Sequence, residues 1–144
     1  MEDFTSPARF FQHGSLNVPW HDDLVMQLIA IDDIGAFAAL AFAQPDAYLG
    51  RAMEITGDKL TTPQIAGVLS TAAGRPVPHT QIPLKVLWEY TPAATKVYTW
   101  ANEAYFDTDL ASLREAFGDL MDFDTWLERS GRARLLAQLE APPA

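Results

Sequence analysis

The first residues with a chemical signature are His21, Asp22 and Asp23, a histidine beside two carboxylates. Such a group suits general acid–base catalysis or metal binding, because imidazole changes its charge near neutral pH. Neighbouring residues in a loop converge poorly, however, and no second pair of histidines completes a ligand set. We therefore favour an exposed polar loop and predict no metal site. His13 and His79 stand alone and are interpreted in the same way.

Asp32 and Asp33 are a second pair of carboxylates that could share acid–base work. They also stand where a helix is predicted to start. Aspartates at that position accept hydrogen bonds from free N–H groups and match the positive end of the helix dipole. Capping is the favoured interpretation, and we assign no catalytic residue.

Aromatic residues are the third candidate. The second half of the chain contains Trp88, Tyr90, Tyr98, Trp100, Tyr105 and Phe106. These side chains could line an apolar pocket, although ordinary helix packing explains them too and is favoured. Phe4, Phe10 and Phe11 lie in a segment without a regular pattern, so they must pack against something distant in sequence. For an apolar ligand pocket we expect Phe10, Phe11, Trp20, Trp88 and Trp100.

Several motifs are absent from these 144 residues. No glycine-rich G-x-G-x-x-G or Walker A loop is present, although binding a nucleotide phosphate requires such close backbone approach. The Tyr-x-x-x-Lys pair of typical short-chain dehydrogenases is also missing. The sequence contains no cysteine, which excludes disulfides and thiolate chemistry.

The first half of the sequence predicts alternating strands and helices. Residues 1–24 show no regular pattern. Residues 25–31 (VMQLIAI) are almost wholly apolar, which predicts a strand buried on both faces. The two aspartates then start an alanine-rich helix that ends near residues 44–45. Residues 52–56 predict a second strand, which Gly57 ends.

The remainder is predicted to be mostly helical. Residues 61–64 (TTPQ) are a helix start, with a hydroxyl cap before a proline, and Gly74 is the expected end. Residues 77–82 predict a strand that Pro78 restricts to a sheet edge or a strand start. Further helices are predicted over residues 84–90, 93–105, 110–117 and about 123–139, and Gly118 and Gly131 punctuate the last two.

The bulk composition excludes several partners. Ten basic and 19 acidic residues give a net charge of −9, which disfavours nucleic acid and anionic membranes. The longest apolar run, residues 34–43, is too short to span a bilayer, and the first residues do not look like a signal peptide. We expect a cytoplasmic protein. Since two or three strands make a poor sheet, we also expect a partner, either a second copy or another protein segment.

Several segments resemble the NmrA-like family in their order and spacing. Residues 29–39 (IAIDDIGAFAA) are similar to its Asp-Ile-Gly element, and residues 1–4 (MEDF) to the stretch after its fifth strand. Further similar segments are residues 45–51, 53–58, 60–61, 65–66, 74–77, 105–110 and 123–127. The resemblance covers nearly the whole chain.

Members of that family are atypical short-chain dehydrogenases. Their first half is a Rossmann domain that holds a Gly-rich loop and NAD(P), and their second half completes the sheet and forms a smaller substrate-side lobe. Some reduce quinones or other carbonyls, and others sense NADP and regulate transcription without catalysis. The resemblance implies an α/β fold here, the C-terminal portion of a Rossmann-like sheet plus a small helical lobe, lacking the N-terminal Gly-rich half.

The resemblance also implies boundaries and a cofactor end. Residues 1–77 would complete the sheet, residues 78–140 would form the helical lobe and residues 141–144 a tail. Glu2, Asp3 and Phe4 fall where family members approach the nicotinamide end of NADP or NAD, with Asp3 in place of the more usual asparagine. We expect that this chain alone does not bind the cofactor.

Three functions stay open, and the sequence does not decide whether the protein is an enzyme. The first is the substrate-side lobe of an oxidoreductase-like or redox-sensing protein whose partner is the missing Rossmann half. The second is a non-catalytic oligomeric binding or regulatory module. The third is a cofactor-free cyclase or isomerase that binds an apolar small molecule and uses His21 or an aspartate.

Overall fold

A computed structural model describes residues 1–6, 10–104 and 108–140 of the chain. It confirms an α/β fold in which short strands come early and helices dominate the second half. The strands are β1 (Phe11–Gln12), β2 (Ser15–Val18), β3 (Met26–Leu28), β4 (Asp58–Leu60) and β5 (His79–Gln81). The α-helices are α1 (Ile31–Ala43), α2 (Pro45–Tyr48), α3 (Thr62–Ala73), α4 (Leu84–Tyr90), α5 (Pro92–Glu103), α6 (Leu110–Ala116), α7 (Phe123–Trp126) and α8 (Arg132–Glu140).

The segment before residue 24 is more regular than its sequence indicates. It contains a 3-10 helix, Glu2–Thr5, and the antiparallel hairpin of β1 and β2. His13 and Gly14 both adopt positive φ angles, 52° and 74°, which is the backbone that a tight two-residue hairpin requires. The absence of regular structure predicted here was therefore wrong, because the signal was a two-residue turn between very short strands.

A three-stranded sheet of order β1-β2-β5 forms one side of the fold. Strand β2 pairs in parallel with β5, with Leu16 opposite His79 and Val18 opposite Gln81. The predicted edge position of the strand near Pro78 is confirmed, since proline has no N–H for a second neighbour.

A separate two-stranded sheet joins β3 to β4 in antiparallel fashion, with Leu28 opposite Asp58. The strand predicted over residues 25–31 is shorter than expected. The strand predicted over residues 52–56 was wrong, because that stretch is a largely exposed loop and pairing begins only after Gly57. Gly57 does not end a strand; it lies against the main chain of Met121, where any Cβ atom would collide.

Helix α1 begins one residue before the predicted aspartate caps. Its N-cap is Ala30, and Asp32 and Asp33 lie within the first turn. Asp33 is buried, and its carboxylate accepts a hydrogen bond from the main-chain N–H of Met121 at 3.1 Å. The capping interpretation was therefore wrong for this residue, whose acceptor serves a tertiary contact. Burial raises the pKa of the Asp33 carboxyl above its ordinary value of 3.8, and the bond from Met121 offsets this only in part.

Helix α3 follows its sequence signals closely. The Thr61 side chain and that of Gln64 form a reciprocal capping box, and Gly74 ends the helix with a φ of 67°. Both predicted ends are confirmed. Helix α4 also matches its predicted range, and α6 stops one residue early.

The last predicted helix is continuous but irregular. Between α7 and α8 the chain forms a π-helix, Leu127–Gly131. Gly131 lies inside this helical path, at the last residue of the π-helix. It faces the indole of Trp126, and an added Cβ would lie 2.5 Å from that ring. The predicted tail at residues 141–144 lies outside the described residues.

The buried side chains form two separate groups. The main cluster includes Leu28, Phe123 and Trp126, and the smaller one is formed by Phe37, Leu113 and Leu120. Ile29, which follows β3, packs against the smaller cluster. Among the described residues, no helix is long and apolar enough to cross a bilayer.

Replacing Gly131 by alanine should destabilise the fold. The new methyl group would overlap the Trp126 ring inside a packed core, so we expect a loss of about 1–3 kcal/mol in the free energy of unfolding. The control is Gly67→Ala, in the exposed part of α3, where nothing lies within 4 Å. That change should gain about 0.5–1 kcal/mol. Urea denaturation measures both, and equal effects would contradict the packing argument.

The free energy of unfolding should depend on pH through the ionisation of Asp33. Its folded pKa is raised, so its contribution to stability is present below pH 3.8 and is lost as pH rises through the folded value. Asp33→Asn keeps an acceptor for Met121 without a charge. At pH 7 this variant should be at least as stable against unfolding as the wild type. Any gain in stability should shrink below pH 3.8, where the Asp33 carboxyl is protonated in the folded and the unfolded state.

Asp33→Ala is the matched control, because it leaves the Met121 N–H without an acceptor. It should lose about 1–3 kcal/mol at both pH values in urea denaturation. If the asparagine variant were as unstable as the alanine variant, the hydrogen bond from Met121 to the side chain at position 33 would not be what stabilises the fold.

Candidate functional site

A cleft of about 510 Å³ lies beside β3, between the 3-10 helix and α5. Helix α5 contributes one face, formed by Ala94, Val97, Tyr98 and Ala101, whose spacing of three and four residues places them on one side of a helix. The remaining lining residues are Met1, Asp3, Phe4, Phe10, Trp20, Met26, Gln27, Leu28 and Ile29.

Four aromatic side chains form one wall of the cleft. The rings of Phe10 and Trp20 meet edge to face with centroids 4.7 Å apart, and Tyr98 lies 6.3 Å from Trp20. Phe4 completes the group at 5.7 Å from Phe10. The Trp20 indole N–H donates to the hydroxyl of Thr62 at 2.9 Å, so the polar end of this ring is satisfied away from solvent. Phe4 and Trp20 are almost fully buried, so the wall presents a ligand mainly with the partly exposed rings of Phe10 and Tyr98.

Asn102 fixes the loop that carries Trp20 against α5. Its side-chain oxygen accepts the main-chain N–H of His21 at 2.8 Å, and its amide nitrogen donates to the carbonyl of Pro19 at 3.2 Å. The same nitrogen donates to the carbonyl of Tyr98 at 2.9 Å. Asn102 therefore sets the distance between two cleft residues without lining the cleft itself.

The three residues predicted at the cofactor end have different surroundings. Asp3 and Phe4 line the cleft. Glu2 does not line it: one carboxylate oxygen accepts the N–H of Ile31 and the indole N–H of Trp126, each at 3.1 Å. Burial opposes ionisation, but the Ile31 N–H, the main-chain N–H of Glu2 itself and the positive charge of the Met1 ammonium group outweigh it and hold the pKa of Glu2 below its ordinary value of 4.5. Glu2 thus caps α1 from a distant position in the chain.

The five residues predicted for a substrate pocket are divided by the fold. Phe10 and Trp20 lie together in the cleft wall. Phe11 is 1% exposed and belongs to the main core. Trp88 on α4 and Trp100 on α5 are 49% and 57% exposed and lie outside the cleft lining. Tyr105 and Phe106, two further aromatics of the sequence, lie outside the described residues.

Sequence reasoning missed several members of the cleft. Met26 and the α5 face were not singled out, although the spacing of Ala94, Val97 and Ala101 around Tyr98 was a signal for one helical side. Asn102 carried no signal, because an asparagine in the last turn of a helix has no fixed role until its partners are known.

The polar cluster at His21 and Asp22 lies away from the cleft. The imidazole Nδ1 of His21 lies 3.1 Å from the Gln81 amide nitrogen, and the His79 Nε2 lies 3.4 Å from a carboxylate oxygen of Asp22. These contacts connect the loop to β5 at an exposed surface. Within residues 1–6, 10–104 and 108–140, no three histidine or acidic side chains converge as metal ligands.

The chemistry available in the described cleft is limited. Asp3 and the Tyr98 phenol are its side chains able to exchange a proton, and the other lining side chains are apolar apart from Gln27. No glycine-rich loop is present to approach a phosphate, so these residues by themselves do not fit a whole dinucleotide. The arrangement fits binding of an apolar molecule better than catalysis by this chain alone.

The solved structures that resemble this fold include three structures of NmrA. The fold is similar to NmrA, described as a negative transcriptional regulator, in its complexes with NAD (TM-score 0.62) and with NADP (TM-score 0.61). Both matches share 16% identity and cover 85% of this chain, which spans about 44% of the length of NmrA. A double mutant of NmrA matches with a TM-score of 0.61, 16% identity, and 83% and 43% coverage.

A search of curated protein sequences found no match. The model of the NmrA-like family, in contrast, matches residues 1–134, nearly the whole chain. With the α/β fold and the similarity to NmrA, this match shows that the chain belongs to the NmrA-like family.

Proposed function

We propose that this chain supplies the substrate-side part of an NmrA-like, NAD(P)-dependent protein. One observation carries the proposal: the cleft is lined by Asp3 and Phe4, beside which we expect the nicotinamide end of the cofactor from the family resemblance. A cleft at that position would hold an apolar molecule next to the redox-active ring. Proximity of this kind is the contribution that a protein makes to cofactor chemistry.

The cofactor would be held mainly by other residues. NmrA has been described in complex with NAD and with NADP, whereas this chain has no glycine-rich loop. We propose that NAD(P) binds only when this chain is joined to a glycine-rich Rossmann half. The absence of cysteine agrees with a cytoplasmic location, which we also propose.

A regulatory function is the second candidate. NmrA is described as a negative transcriptional regulator, and the described cleft provides few groups that transfer protons. In that case the cleft would bind a molecule or a protein segment, and the cofactor would change the affinity without being consumed. Turnover of NADPH with a carbonyl compound distinguishes the two candidates, because only the oxidoreductase would show it.

NADPH should stabilise this chain only when the chain is fused to a glycine-rich Rossmann half. We suggest fusing the part of NmrA that the match leaves uncovered to Met1 of this chain. Saturating NADPH should then raise the melting temperature, since a ligand at a hundredfold its Kd adds about 2.7 kcal/mol to the folded state. The unfused chain is the control and should not shift. A shift in the unfused chain, or none in a fusion that melts cooperatively, would sink the proposal.

Filling the cleft should block binding of an apolar probe. Ala94→Phe places a ring in the cleft, whereas Ala93→Phe adds the same ring one residue away on the exposed side of α5. We expect the neutral fluorophore N-phenyl-1-naphthylamine to bind the Ala94 variant at least about tenfold more weakly, a difference of 1.4 kcal/mol. The Ala93 variant should bind like the wild type. Equal fluorescence titrations for the two variants would show that the probe binds elsewhere.

A further inference from the structure

A groove of about 480 Å³ runs along α1 and shares no lining residue with the aromatic cleft. Helix α1 forms one wall with Ile34, Phe37, Ala38 and Ala41, whose spacing of three and four residues places them on one side of the helix. The other lining residues belong to α2 and to the loop after it: Ala47, Tyr48, Arg51, Ala52, Met53 and Ile55. We call this space the α1 groove.

Both walls of the α1 groove are held by the fold. Phe37 is buried and stacks on Phe117 with ring centroids 4.4 Å apart, which anchors α1 in the smaller core. The loop turns at Gly50, whose φ of 72° is left-handed and suits glycine. The main-chain N–H of Arg51 donates to the carbonyl of Tyr48 at 3.1 Å across this turn. The groove is therefore formed by the local fold of α1, α2 and their loop.

The lining of the α1 groove is mostly apolar and partly open to water. Ile34 is 44% exposed and Met53 is 48% exposed, although both side chains are large and apolar. An apolar molecule in the groove would remove this surface from water, which is the main driving force for binding in pockets of this size. The lining thus favours a ligand with an apolar body.

The charge in the α1 groove is opposite to that of the whole chain. The chain has a net charge of −9, yet the lining includes Arg51 and no carboxylate. The acidic residues closest to Arg51 in sequence, Asp46 and Glu54, do not line the groove, and a carboxylate oxygen of Glu54 lies 3.0 Å from the hydroxyl of Thr108. Within the described part of the chain, Arg51 forms no ion pair. A guanidinium in such a place suits an anion, above all a carboxylate, which matches its paired N–H groups.

We propose that the α1 groove binds an amphiphilic monocarboxylate, that is, an apolar molecule with one carboxylate group. The apolar body lies along Ile34, Ala38 and Met53, and the carboxylate pairs with Arg51. Tyr48 is the other lining residue with a polar side chain, and its phenol provides a second donor. This site goes beyond the proposed function, because it requires neither NAD(P) nor the aromatic cleft.

Fluorescence titration of the full chain with 11-(dansylamino)undecanoic acid tests the charge. The wild type should bind this probe saturably. Arg51→Gln should weaken binding at least about tenfold, because it removes hydrogen bonds from a charged donor. Arg132→Gln is the matched control, since it removes the same charge from an exposed position at the start of α8, and it should bind like the wild type. Decanoic acid should displace the probe at least about tenfold better than uncharged methyl decanoate.

Filling the groove tests the position independently. Ala38→Phe places a ring in the groove and should weaken probe binding at least about tenfold. Ala39→Phe adds the same ring at the next residue, which is exposed and outside the lining, and should not weaken binding. Ala94→Phe, which fills the aromatic cleft, should also leave probe binding unchanged. Thermal melting of each variant verifies that the protein titrated is folded.

Four results would overturn the inference. They are the absence of saturable binding, equal weakening by Arg51→Gln and Arg132→Gln, equal displacement by decanoic acid and its methyl ester, and loss of binding in Ala94→Phe rather than in Ala38→Phe. The last result would place the probe in the aromatic cleft. Since no NAD(P) enters these titrations, each of these results leaves the NADPH test of the proposed function unaffected.

Discussion

The carboxylate of Glu2 joins three parts of the chain, and the geometry of the cleft depends on that junction. It caps α1 through Ile31 and holds the indole of Trp126, while the adjacent main chain of Met1 is bound to Ile29. These contacts hold the 3-10 helix beside the end of β3. Together with the ring contacts of Phe4 to Phe10, Trp20 and Phe123, they set the position of Asp3 beside the aromatic wall.

The surroundings of β3 explain why so small a sheet can serve as a scaffold. Leu28 of β3 belongs to the main core, Ile29 directly after the strand packs against the smaller one, and Gly57 lets the chain near Met121 approach closely. Two carboxylates near the start of α1 then behave oppositely. Hydrogen bonds and the charge of the Met1 ammonium group outweigh burial at Glu2 and lower its pKa, whereas burial prevails at Asp33 and raises its pKa. The start of α1 is therefore in contact with one carboxylate of lowered pKa, Glu2, and one of raised pKa, Asp33.

The sequence and the fold agree best where the controlling forces are local. The capping box of α3, its glycine end and the range of α4 were all predictable, because the residues that fix them lie within a few positions. The loop over residues 52–56, which was predicted as a strand, and the packing of Gly131 were not. Gly57 was interpreted as the end of a strand, whereas the fold uses it for close contact with the distant main chain of Met121. Gly131 was interpreted as punctuation, whereas it makes room for the nearby Trp126 ring. For the candidate site, Phe10 and Trp20 were predicted, and the α5 face and Asn102 were missed.

The sequence by itself determined the α/β class, the membership in the NmrA-like family, the α3 boundaries and the edge position near Pro78. These follow from hydrophobic period, turn residues and motif order, which act over short distances. The tertiary structure alone decided that Phe11 belongs to the core while Phe10 belongs to the cleft, that Glu2 caps a helix 29 residues away and that Asp33 serves Met121. Adjacent residues with the same chemistry take different roles because long-range packing chooses which side of a strand faces the core.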